Sequence, residues 1–125
     1  MVKALFDTNI LIDYLNAIPE ARAELLLHQE KAISVITWME VMVGAPASLE
    51  SATAAFLAGF ETVGIDSPTS VRAVTLRRTH RIKLPDAIIW ATAQCSGMLL
   101  VTRDARDFRA GDPGIRLPYV LPDPG

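Results

Sequence analysis

The sequence predicts a three-layer α/β domain built on a mainly parallel sheet, and three observations carry that prediction. Short apolar runs alternate with segments of helical period along the chain. The first run, Val2 to Phe6, is nearly all apolar, as a central parallel strand covered on both faces should be. Half of the 125 residues are apolar, and no linker or internal repeat divides them, so residues 1–125 are expected to form one domain.

Taken in order, Val2 to Phe6 is the first strand and ends at an acid, Asp7. Asn9 is read as the N-cap of a helix carrying Ile10, Leu11, Tyr14 and Leu15 at helical spacing. Pro19 opens a second helix, with Ala21 and Leu25 on its buried stripe, ending near Lys31. Ala32 to Ile36 reads as a strand, and Thr37-Trp38-Met39-Glu40 as the start of a helix broken after Val43 by Gly44 and Pro46. Ser48 is read as the cap of an alanine-rich helix reaching Phe60, and β-branched Thr62 to Ile65 as a strand. Ser67-Pro68 starts a helix that ends near Ile82. Leu84-Pro85-Asp86 opens another, stopped by Gly97 as its C′ residue. Met98 to Val101 is a fourth strand, Arg103 to Phe108 a loop, and Leu117 to Leu121 an edge strand bracketed by prolines. Residues 122–125 read as a loose tail.

Composition narrows the function. A single cysteine, Cys95, precludes an internal disulfide and suits a reducing cytosol, so a cytoplasmic location is expected. No signal-peptide order opens the chain, and no apolar stretch approaches the roughly 20 residues of a membrane helix. The net charge of −2 is unevenly spread. No acid lies between Asp66 and Asp86, while Arg72, Arg77, Arg78, His80, Arg81 and Lys83 crowd together. Such a strip suits a polyanionic partner, and equally a solvated helix face.

The acids carry the chemistry. Asp7 sits at a strand end, Glu40 and Asp86 each in the first turn of a helix, and Asp104 and Asp107 after the fourth strand. Each has an ordinary explanation. Thr37-x-x-Glu40 forms a capping box, Asp86 complements a helix dipole, and Asp104 and Asp107 are common turn residues. If the first and fourth strands are neighbours, however, all five converge above one edge of the sheet. Gathered carboxylates repel one another unless a cation sits among them. Oxygen donors with no clustered cysteine or histidine point to Mg2+ or Mn2+ and to metal-assisted hydrolysis of a phosphodiester. No Gly-x-Ser-x-Gly elbow, Walker loop or Gly-x-Gly-x-x-Gly motif competes. Cys95 reads as a small core residue, and His28 and His80 as surface residues without partners. A phosphoryl-accepting receiver domain is a second reading, disfavoured because Thr102 and Arg103 follow the fourth strand where lysine is needed.

At four places the residues resemble those of PIN-domain ribonucleases, and among them VapC-type toxins of prokaryotic toxin–antitoxin pairs. LFDTNILIDYL resembles the opening motif, which gives Asp7 a metal-binding role. SVITWMEVMVGA resembles the second, whose glutamate is Glu40, and LPDAIIWATA the third, whose metal-binding aspartate is Asp86. LLVTRDARDF resembles the fourth, in which Thr102 supports Asp7 and either Asp104 or Asp107 closes the pocket, with Asp104 favoured as nearer the strand end. Asn9 would line the pocket, and Asp13 of the opening motif would be structural or at the surface. The resemblance implies a PIN-like sheet of order 3-2-1-4-5 with helices on both faces. It also implies Mg2+- or Mn2+-dependent cleavage of RNA, a homodimer, and an antitoxin laid over the active site. RNA phosphates would then lie along Arg72, Arg77, Arg78, Arg81, Lys83 and Arg103. A PIN-like module that binds RNA or protein without cutting is the alternative within the same fold.

Overall fold

The computed structural model describes residues 2–109 and 111–122. The first strand, β1 (Ala4–Phe6), is buried along its whole length and lies at the centre of a five-stranded sheet. It pairs in parallel with β2 (Lys31–Ser34) on one side and β4 (Leu99–Val101) on the other. Beyond them lie β3 (Glu61–Val63) and β5 (Ile115–Arg116), both parallel, giving the expected order 3-2-1-4-5. Among the described residues six helices connect the strands: α1 (Thr8–Leu15), α2 (Pro19–Leu27), α3 (Val35–Gly44), α4 (Glu50–Leu57), α5 (Ser67–His80) and α6 (Leu84–Ser96).

Alternation along each strand splits the core in two. Ala4 and Phe6 of β1 join Ile10, Leu11, Leu25, Val41 and Leu57, from α1 to α4. Leu5 faces the other way, against Ala73 and Leu76 of α5 and Ile89 and Trp90 of α6. Helices therefore cover both faces, and β1 can be apolar at every position.

Several boundaries differ from the sequence reading, each for a local reason. The N-cap of α1 is Asp7, whose carboxylate accepts the Thr8 amide at 2.7 Å; Asn9 lies one residue inside the helix. Helix α3 begins at Val35, capped by Ser34, so Val35 and Ile36 form its first turn instead of extending the strand. Thr37-x-x-Glu40 is consequently no capping box, and Thr37 is buried. Ser48 falls in a short 3-10 turn (Ala47–Leu49) that precedes α4. Helix α2 stops at Leu27, with Leu26 and Leu27 exposed. The edge strand is Ile115–Arg116; Leu117 to Leu121 form no strand, because β4 offers only Leu100 and Val101 as partners. Of the tail, residues 123–125 lie outside the described part of the chain.

Three side-chain readings are also corrected. Cys95 is exposed, because the last turn of α6 overruns the core before Gly97 ends it in the left-handed conformation. His28 is not a lone surface residue. It is largely buried, 2.8 Å from Glu24 and edge-on to Phe6. Glu24 is itself gripped by two nitrogens of Arg116, which together with His28 hold its carboxyl below the usual range against the opposing effect of burial. His80 is exposed as expected, but its ring rests 4.8 Å from that of Trp90.

Candidate active site

The strand order reverses direction between β1 and β4, and open parallel sheets bind ligands at the carboxyl ends of such strands. Phe6 is in register with Val101, so the next residues, Asp7 and Thr102, emerge side by side. The Asp7 amide donates to the Val101 carbonyl at 2.8 Å, and the buried Thr102 hydroxyl donates to Asp7 Oδ2 at 2.8 Å. Asn9 spans the pair. Its Nδ2 lies 3.3 Å from Asp7 Oδ2 and 3.2 Å from Thr102 Oγ1, and its Oδ1 receives the Arg103 amide. Burial pushes the Asp7 carboxyl up to about 6, with the charges of Asp86 and Glu40 adding to the rise and the Thr102 and Thr8 hydrogen bonds opposing it.

Glu40, exposed on the second turn of α3, is held by Thr8, the residue that follows Asp7. Thr8 Oγ1 lies 2.7 Å from Glu40 Oε1 and 3.0 Å from Thr37 Oγ1. A hydroxyl carries one proton, so it donates to the carboxylate and accepts from Thr37.

Asp86, in the first turn of α6, meets the loop after β4. One oxygen each from Asp86, Asp104 and Asp107 lies within 4.8 Å of the others, all three residues being half-buried. Burial raises the Asp86 pKa, and the charges of Asp107, Asp104 and Glu40 raise it further, with only Lys83 opposing. Asp104 and Asp107 thus both approach Asp86. Their oxygens differ in commitment, however. Asp104 Oδ1 already accepts the amides of Arg106 and Asp107 at 3.0 and 3.2 Å, shaping the turn, whereas the Asp107 carboxylate accepts no such bond among the described residues. Asp7 is outside this trio, and the charge of Asp86 acts on it to raise its pKa.

The donor set fits a hard divalent cation. Three converging carboxylates, each with at least one oxygen that accepts no hydrogen bond among the described residues, are what such an ion neutralises. They line a cavity of about 610 Å³ with Asn9, Lys83, Arg103 and Arg106. Of the basic strip, only Lys83 reaches this cavity. Arg72 binds Gln94 at 2.6 Å, eight residues along α6 from Asp86 and so about 12 Å away, and Arg77, Arg78 and Arg81 lie on exposed parts of α5 and its end. Arg103 lines the cavity but is tied to buried Asp13 through Nε and, at 3.1 Å, Nη2. Arg106 was not singled out from the sequence, where it looks like one more loop cation.

A small α/β domain with a carboxylate pocket at its switch point is the class that fold and site define. Within that class the chain belongs to the PIN domain family, whose pattern matches residues 4–112. It is similar to a chain of a toxin–antitoxin complex from Klebsiella pneumoniae, at 47% identity and a TM-score of 0.90, over 95% of this chain and 100% of that one. It is also similar to a chain of DNA-bound VapBC from Salmonella typhimurium, at 26% identity and a TM-score of 0.75, over 93% and 96%. A chain of FitAcB from Neisseria gonorrhoeae shares the fold at 24% identity and a TM-score of 0.74, over 94% and 99%. These matches bear out the resemblance to VapC-type toxins and set aside the receiver-domain reading. No match was found among curated proteins.

Proposed function

We propose that this protein is a metal-dependent endoribonuclease acting as the toxin of a toxin–antitoxin pair. The observation that carries the proposal is the convergence of Asp86, Asp104 and Asp107 beside the Asp7–Thr102 pair. Asp86, Asp104 and Asp107 would hold Mg2+ or Mn2+, with Asp7 completing the negative wall. Such an ion supplies Lewis-acid activation of water and neutralises charge on a phosphodiester. Thr102 and Asn9 fix the orientation of Asp7, and the Thr102 and Thr8 hydrogen bonds favour its charged form against the effect of burial. Thr8 holds Glu40 by one oxygen, which leaves the other facing solvent to accept a proton. Lys83 and Arg106 offer charge to the phosphates on either side of the bond cut.

The reading includes an antitoxin covering this cavity and a homodimer. The exposed apolar residues Trp38, Met39 and Val43 on α3 and Leu26 and Leu27 on α2 provide surface for both. Incubation of labelled single-stranded RNA with the purified chain tests the central claim. Cleavage is expected with Mg2+ or Mn2+, and not with chelator, nor with Asp7→Ala or Asp86→Ala. Undiminished cleavage by both variants would overturn the site. Co-expression with the protein of the neighbouring gene, followed by light scattering, tests the partner and the dimer.

A further inference from the structure

Next to the acidic cavity lies a second hollow of about 500 Å³ that the chemistry above does not use. The two share one wall, Asp107. The others come from the end of α5 (Thr79, His80), from α6 (Trp90), and from Arg109 beyond the loop. The geometry points to a nucleotide subsite, in which the unpaired base adjoining the scissile phosphate stacks on His80 and its phosphate is met by Arg109.

The volume lies in the range of small-ligand sites. The wall is layered. Phe108 packs edge-on to Trp90 with ring centroids 5.4 Å apart, and Trp90 supports the His80 ring at 4.8 Å with the two planes tilted by 53°. Phe108 and Trp90 are buried and so hold this wall in place, while His80 is exposed and lines the hollow. Aromatic and imidazole faces of this kind bind splayed-out bases of single strands, whereas a base within a duplex has no free face to offer. Arg109 is exposed at the rim, and carboxylates of Asp107 and Asp112 leave it as the cation of the hollow, with Thr79 offering a hydroxyl. A phosphate therefore has one favourable place there, and amino groups of a base face the acids. The strand would run from Lys83 and Arg106, across the trio of acids, to His80 and Arg109.

The inference rests on the ribonuclease reading for its substrate, and binding separates the two. The chain has two tryptophans, so Trp38→Phe leaves Trp90 as its only indole reporter. In chelator, a short single-stranded RNA should change Trp90 fluorescence and saturate, while the same RNA annealed to its complement should bind at least fivefold more weakly. His80→Ala and Arg109→Ala should each raise Kd about fivefold or more, and His80→Phe, which keeps a ring, should restore binding. In cleavage assays the same two alanine variants should raise KM with kcat little changed. If RNA is cut but neither alanine variant alters Kd or KM, the subsite is wrong and the ribonuclease stands. Binding through His80 and Arg109 without metal-dependent cleavage keeps the subsite and overturns the ribonuclease.

Discussion

Arg103 closes on Asp13 ninety residues away, with two guanidinium nitrogens on the two carboxylate oxygens, and Tyr119 adds its hydroxyl to Asp13 at 2.8 Å. Asp13 is buried in α1, Arg103 begins the loop that bears Asp104, and Tyr119 belongs to the segment that carries Val120 and Leu121 to the cavity. One carboxylate thus fastens two pieces of irregular chain to a helix that starts at Asp7. Arg103→Ala would leave that carboxylate buried with Tyr119 alone. Losing one partner of a buried pair costs about 3–5 kcal/mol, and Arg103 is one-third exposed, so about 2–3 kcal/mol is expected in urea unfolding. A loss below about 0.5 kcal/mol would make this an ordinary surface pair.

Stability without metal should depend on Asp7. Its folded pKa of about 6 exceeds the ordinary 3.8, so the native state holds the proton more tightly. That contribution is complete below about pH 4 and is lost as pH rises through about 6; two units correspond to about 3 kcal/mol. Asp7→Asn removes the titration. In chelator, the variant should match the wild type near pH 4 and gain on it between pH 4 and 6. A difference that stays constant over this range would refute the assignment.

A cation that binds only the native trio raises stability by mass action, by about 2.7 kcal/mol at a hundred times Kd. Mn2+ should therefore raise the Tm of the wild type but not of Asp86→Asn or Asp107→Asn, measured by calorimetry. Asp104→Ala should add a second defect, about 1 kcal/mol without any metal, because its Oδ1 also caps the turn through the Arg106 and Asp107 amides. Equal Mn2+ shifts in wild type and Asp107→Asn would remove that acid from the site.

The residues of the candidate site were legible where they border a regular element. Asp7 and Thr102 follow strands whose apolar character is plain, and Asp86 follows a proline that marks a helix start. What binds them was less visible. Asp13 and Arg103 carry no local signature, because their meeting depends on β1 lying beside β4. Val35 and Ile36 look like strand by β-branching, but the Ser34 hydroxyl turns them into a helix and moves Glu40 from the first turn to the second. The basic strip is close in sequence and dispersed in space. A helix spreads residues 72 to 80 around its axis and along it, so that of the strip only Lys83, past its end, lines the acidic cavity. The Glu24–His28 pair, by contrast, stood in the sequence at i, i+4 spacing and could have been read there.

The Thr102 hydroxyl is the strongest test of how the protein holds Asp7. It donates to Asp7 Oδ2 and accepts from the Asn9 side chain and the Asp104 amide, so one oxygen links three functional positions. Its bond to Asp7 favours the anion against the effect of burial. Thr102→Val keeps the shape and removes the donor, so the Asp7 pKa should rise above about 6 in metal-free protein, followed by NMR of the carboxyl carbon. Thr102→Ser keeps the hydroxyl and should leave the titration near its wild-type position. Partners that orient metal-site acids are worth about 10–100-fold in activity, so RNA cleavage at neutral pH should fall by that factor in Thr102→Val alone. If Asp7 titrates in Thr102→Val as it does in the wild type, Thr102 acts at this site by packing alone.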